Sequence, residues 1–335
     1  NPDSSTLSTT TDEADVRGDR YVAIMGAGMS SKYLCAGSAL YLVELSDMKE
    51  PGKLFGYEQN KGPILIADTK VTDIGTEGDP NIQGVWDKRT ITPLERPARF
   101  ENRAFLSPEE ILEYEAASAE REVGRPLDFS RTSISVHAPD DLDYGSRYVT
   151  TGQTSLVVEP SSGRIPAYTE AADKRAEEAR KMREGRGPAD SWIDRNLSER
   201  CLTWGVPQGM LPQPYNNNLK ILQTPDHVMF YLEMAHDVRI IPLDGRPHLP
   251  ENLRLWHGDS RGHWEGDTLV VRTKNFSPKS NFRRANVALE TEERFRRNAE
   301  DQLEYILKIK DDTTWAVSYT HLRAHETPEH RGWRG

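Results

Sequence analysis

The feature that most limits the fold of this chain is the cadence of its second half, where short β-branched and aromatic runs alternate with tight-turn dipeptides. Residues 220–224, 227–234, 238–242, 263–273 and 302–310 read as strands, joined by Pro-Asp, Asp-Gly and Gly-Asp steps. Gly, Pro and Asp at those joints supply the backbone angles that chain reversals need. Strands at this spacing predict a mainly β chain, an antiparallel meander or barrel-like domain with helical decoration. Two helices supply the decoration. Ser107-Pro108-Glu109-Glu110 offers an N-cap, a proline at the first helical position and an acid three residues past the cap, ahead of a helix over 111–122. A second helix is predicted over 169–184, rich in Ala, Glu, Lys and Arg, with Glu170/Lys174 and Glu177/Lys181 at ion-pair spacing.

Charge narrows the functional classes. The 335 residues carry 53 acidic and 43 basic side chains, a formal net charge of -10. A general binder of nucleic acid or anionic membranes needs a basic face to displace counterions, so neither partner is expected. No apolar run approaches the roughly 18 residues of a membrane span. The two cysteines, Cys35 and Cys201, are far apart and form no CxxC pair, which excludes zinc ribbons and disulfide-dense scaffolds. Gly26-Ala27-Gly28 follows a strand-like run, as in a dinucleotide fold. Ser31 replaces the third glycine and the spacer to the next run is too short for a crossover helix, so no cofactor is expected. Nothing in the sequence sets an oligomeric state.

The chain reads as four segments. Residues 1–19 form a polar, disordered lead-in. Residues 20–75 hold apolar runs at 21–25, 39–45 and 62–68, read as three strands. The stretch DRYVAIMGAG, SALYLVELSD and GPILIADT resembles a blade of the β-propeller in type IV pilus tip-associated adhesins, which implies a partial propeller-like segment. The calcium-loop pattern of those adhesins is absent, so no metal carries over. Residues 79–316 contain GVW at 84–86, TPLERP at 92–97, TSLVVEPSSGRIP at 154–166, PYNNN at 214–218, EMAHDVRIIPLDGRPHLP at 233–250 and GDSRGHWEGDTLVVRTKNF at 258–276. This combination resembles a family of uncharacterised secreted bacterial proteins. The resemblance implies a secreted or periplasmic location and brings no established chemistry. Residues 317–327, VSYTHLRAHET, resemble one reading frame of a transposon-derived adapter used to prepare sequencing libraries. The expectation from these resemblances is a fragment that is truncated at its C-terminus, chimeric near residues 70–80, and followed over 317–335 by an artefactual tail with no stable packing on the body.

Residues able to do chemistry concentrate between 215 and 265. Glu233 and His236 are the candidate acid–base pair, His236 as general base or acid with Glu233 or Asp237 to orient it. On a regular strand the two would face opposite ways, so a bulge or turn at Ala235 is required to aim both at one site. Candidate ligand-binding residues are Tyr215, Asn216, Asn217, Asn218, Arg239, Arg246, His248, Asp259, Arg261 and Trp264. Their amides and flat rings, with Trp256, suit a sugar or an aromatic small molecule. The structural alternative is that Arg239 pairs with an acid, the Asn run is a turn and the tryptophans are core. Histidine spacings in this region match no compact metal-ligand motif, so no metal is expected. Three functions remain: a secreted small-molecule-binding domain with a polar pocket; a hydrolase or lyase using His236 and Glu233; and an interaction module of a surface appendage. A pocket lined by Glu233, His236, Arg246 and Asn217 favours the first two, and a filled interior favours the third.

Overall fold

The computed structural model describes residues 21–28, 37–44, 79–100, 102–123, 145–280 and 282–326. Two compact units, 1–70 and 71–335, are distinct. In the first, β1 (Tyr21–Gly28) and β2 (Gly37–Glu44) pair antiparallel over their full length, Tyr21 opposite Glu44 and Gly28 opposite Gly37. Two of the three strands expected there are thus present. The third, at 62–68, and the lead-in lie outside the described residues.

The second unit is one ten-stranded sheet. Its strands are β3 (Gly84–Asp87), β4 (Val157–Glu159), β5 (Asn218–Gln223), β6 (His227–Leu232), β7 (Val238–Pro242), β8 (Asp259–Glu265), β9 (Thr268–Lys274), β10 (Glu290–Ala299), β11 (Gln302–Lys310) and β12 (Tyr319–Glu326). Two antiparallel meanders, β5 to β7 and β8 to β12, are joined through β3, giving the order β7-β6-β5-β3-β12-β11-β10-β9-β8, with β4 beside β12. The fold is mainly β, with two α-helices among the described residues. The run 263–273 is a hairpin, not one strand. Gly266, at φ +61°, opens the two-residue turn between β8 and β9, because the first turn position needs a left-handed angle.

Alternation decides what the sheet encloses. One face of β5 and β6 contributes Leu219, Ile221, Val228, Phe230 and Leu232; β9, β10 and β11 contribute Leu269, Val271, Phe295, Leu303, Tyr305, Leu307 and Ile309, all buried in one cluster with Trp86 and Trp315. Each such side chain removed from water contributes up to about 1.5–3 kcal/mol. The sheet curls until its two edges meet. Arg239 of β7 lies beside Ser260 of β8, and Gly262 lies so close to Ile241 and Leu243 that an added Cβ would fall 2.9 Å and 2.7 Å from their side chains. No hydrogen-bonded ladder joins β7 to β8, so the barrel expected as one alternative does not close.

The helices form where caps permit. At α1 (Pro108–Val123) the Ser107 backbone N–H donates to Glu110 and the Glu110 N–H donates to the Ser107 hydroxyl, the reciprocal cap read from the sequence. At α2 (Glu170–Met182) the Thr169 hydroxyl accepts from the Ala172 N–H, and Glu177 pairs with Lys181 at 3.7 Å. The expectation that 317–335 packs on nothing fails for residues 319–326. Strand β12 pairs with β11 from Tyr319 opposite Ile309 to Glu326 opposite Gln302, and Tyr319 and His321 are buried. Residues 327–335 lie outside the described ones. The tail is held because β11 presents a ladder to any extended chain beside it, which composition alone does not forbid.

Candidate functional site

The topology gathers much of the 215–265 constellation at one end of the sheet. Asn218 opens β5, residues 233–237 connect β6 to β7, and residues 257–259 lead into β8. The turn required at Ala235 is present, with Ala235 at φ 58° and His236 at φ 55°. The acid–base pair is nevertheless not assembled. The Glu233 carboxylate accepts from the Asn218 backbone N–H (3.1 Å) and side-chain amide (2.9 Å), and neither Glu233 nor Asp237 is hydrogen-bonded to the exposed His236 ring.

Asp237 serves a different histidine. Its buried carboxylate accepts from the Thr203 hydroxyl (2.8 Å) and the Trp204 backbone N–H (2.8 Å), holding the turn at 203–205. With its own proton committed to Asp237, the Thr203 oxygen accepts from His257 Nε2 at 2.7 Å. Asp259 makes the second such arrangement. It is 4 % exposed, and its Oδ2 accepts from His248 Nδ1 (3.0 Å) and from the Leu249 N–H (2.8 Å). Its Oδ1 accepts from the Arg261 guanidinium at 2.6 Å. A carboxylate can only accept, so Nδ1 of His248 carries the proton and Nε2 is left available. The side chains of His248 and His257 are 25 % and 21 % exposed. Between positions 257 and 259, Gly258 adopts φ +71° with no room for a Cβ, which would meet Thr273 at 2.6 Å and the Lys274 carbonyl at 2.8 Å. Glycine is therefore required where the chain turns from one anchored histidine to the other carboxylate. Trp256, 37 % exposed, immediately precedes this pair, and the adjoining Leu253, Leu255 and Val287 are also exposed. Arg254 donates to the Val287 carbonyl at 2.9 Å and ties the two loops together.

The remaining expected residues separate. Asn217 is buried and exchanges two hydrogen bonds with the Gln213 backbone, closing its loop. Asn216 is exposed at φ 53°, and Tyr215 is half-buried. Arg246 pairs with Asp244, beyond the far end of β7. Trp264 stands at the far end of β8 and packs on the core. Arg239 turns into the sheet interior, where its guanidinium makes paired bonds to Glu293 at 3.0 and 2.6 Å. It also reaches Ser260 and Thr273, while the Tyr305 hydroxyl donates to Glu293 at 3.0 Å. Burial alone would lower the Arg239 pKa; the adjacent Glu293 charge outweighs it and raises the group above its ordinary value. The reading that Arg239 pairs with an acid is the one the geometry adopts.

Sequence reasoning missed Glu293, Thr203 and His257 as members of these networks. Glu293 carried a signal, because it shares strand parity with Thr291 and Phe295 and so occupies an inward position. Thr203 carried none, being 34 residues from Asp237 in an irregular loop.

Two cavities among the described residues are lined by residues other than Glu233, His236, Arg246 and Asn217. A depression of about 340 Å³ lies on the outer face of the sheet, among Thr268, Arg294, Arg296, Glu304 and Ile306. A crevice of about 20 Å³, the size of one water, adjoins the 203–205 turn at Trp204, Val206 and Phe282. Among the described residues no group of three or more His, Cys, Asp or Glu is placed to hold a metal ion. No helix among them is long and apolar enough to cross a membrane. No family model, curated protein or solved structure matches the chain.

Proposed function

We propose that the 71–335 unit is a binding domain for a small polar ring, a sugar or an aromatic compound, held on the surface where the chain enters β8. The observation that carries this reading is that two buried carboxylates each anchor an imidazole, Asp237 holding His257 through Thr203 and at 3.4 Å from its Nε2, and Asp259 holding His248, on either side of Gly258 and next to the exposed Trp256. A flat ring to stack on and imidazoles fixed in advance lower the ordering cost of binding. A secreted or periplasmic location, by the family resemblance, fits capture of such a ligand.

Titration of a panel of sugars and phenolic compounds, followed by heteronuclear NMR, tests it. One class should perturb residues 253–259, and Trp256→Ala should weaken that binding at least tenfold while His236→Gln leaves it unchanged. Binding that survives Trp256→Ala, or that maps to His236 and Glu233, would sink the proposal.

A second reading is acid–base catalysis, as a hydrolase or lyase. It rests on the Asp259–His248 bond, which supports a base with its tautomer fixed. Turnover abolished by His248→Gln without loss of folding supports it; turnover dependent on His236 and Glu233 contradicts it.

A further inference from the structure

The two anchored imidazoles hold their protons on opposite nitrogens, and both turn them toward the protein. At His248 the proton sits on Nδ1, facing the Asp259 carboxylate. That ring is fixed from both sides: the Pro247 carbonyl accepts from Arg261 Nε (3.1 Å), the Leu249 N–H donates to Asp259 (2.8 Å), and the Leu249 carbonyl accepts from the buried Asn275 amide (2.8 Å). At His257 the proton sits on Nε2, because Thr203 gives its own hydrogen to Asp237 and Asp237 Oδ1 stands 3.4 Å from the same ring nitrogen. A neutral imidazole has one donor and one acceptor nitrogen. With each donor directed at a buried carboxylate or the threonine it holds, each ring offers a ligand its lone pair, at Nε2 of His248 and Nδ1 of His257. The two guanidiniums nearby also face the protein, Arg254 bonding the Phe276 and Val287 carbonyls and Arg261 bonding Pro247, Ser260 and Asp259. The histidines thus accept hydrogen bonds, and the exposed side chains beside them, Leu253, Leu255, Trp256 and Val287, are apolar.

We infer that the ligand is a phenol, a flat apolar ring recognised through a hydroxyl hydrogen donated to His248 or His257, an assignment that rests on the binding reading above. The face of such a ring lies on Trp256 while its O–H meets a lone pair already fixed in place. A carboxylate only accepts, and would set its charge against ring lone pairs with buried acids behind them. A methyl ether lacks the hydrogen. A sugar brings many oxygens that seek donors as well as acceptors. A site organised around one polar bond discriminates most sharply against the analogue that cannot make it, because the partner is left unpaired.

The test uses the full chain, nitrogen-labelled, at about pH 8, where free imidazole is neutral. Long-range proton–nitrogen spectra should show His248 protonated at Nδ1 and His257 at Nε2; the reverse tautomer at either ring overturns the assignment. Phenol, anisole, benzoate and methyl glucoside are then titrated in turn. Phenol should bind about tenfold more tightly than the other three, shift residues 253–259, and move the unprotonated nitrogen of His248 or His257 upfield, while anisole leaves both nitrogens in place. Any of the three binding as tightly as phenol, at a site that Trp256→Ala still weakens, overturns the phenol assignment and leaves the binding reading standing. Binding of none of the four, or binding away from 253–259, overturns both.

Discussion

Two regions of the sheet bury polar groups, and they satisfy them to different degrees, Arg239 Nε being unbonded even in the better-bonded one. Around Arg239, four strands each contribute a partner: Arg239 from β7, Ser260 from β8, Thr273 from β9 and Glu293 from β10, with Tyr305 of β11 adding its hydroxyl. Around His321, an imidazole, a phenol and an indole are buried together with none of their polar atoms bonded. The first region has complementary residues at matching inward positions on strands far apart in sequence. The second has a strand whose backbone satisfies β11 while its side chains do not satisfy the core. Backbone pairing is therefore permissive here and side-chain chemistry is selective.

The comparison breaks first, if it breaks, at Glu293. Glu293→Ala strands a guanidinium in the interior and should cost about 3–5 kcal/mol in urea unfolding. A loss under about 1 kcal/mol would mean that Arg239 escapes to water and that the two regions do not differ. The next largest effect is a pH dependence. Burial, aided by the Arg283 charge, lowers the His321 pKa from 6.5 to about 3. Because the unfolded chain takes its proton first, the stability tied to neutral His321 is full above about pH 6.5 and is lost as pH falls toward about 3, at up to about 1.4 kcal/mol per unit. Urea melts at pH 7, 5.5 and 4.5 should show this slope flattened in His321→Val; equal slopes in the two proteins would place its source elsewhere. The smallest effect sharpens the contrast from within the better-bonded region. Thr291 faces the same interior with its hydroxyl unbonded, so Thr291→Val should be stabilising by no more than about 1 kcal/mol. A clear destabilisation would show that this hydroxyl has a partner, such as a bound water.

The meander was legible because turn dipeptides and strand alternation are local. Ser107 and Thr169 announced their helices for the same reason. The site was legible only in part. His248, Asp259 and Arg261 come together, as their closeness in sequence allowed. Thr203, Asp237 and His257 meet only because the curl of the sheet returns the 203–205 turn to the start of β7, and no local pattern encodes that. The 317–326 segment misled in the other direction. Its polar, aperiodic composition reads as unable to pack, yet a ladder edge accepts backbone of almost any composition.

The close approach at Gly262 has a mechanical meaning. A sheet rolled until its margins touch, with side-chain bonds but no backbone ladder across the join, can part along that line while every rung of its ladders stays intact. Arg239 and Ser260 stand on the two lips. A slit between β7 and β8 would break side-chain contacts and no ladder bond, and it would admit water to the Arg239–Glu293 pair.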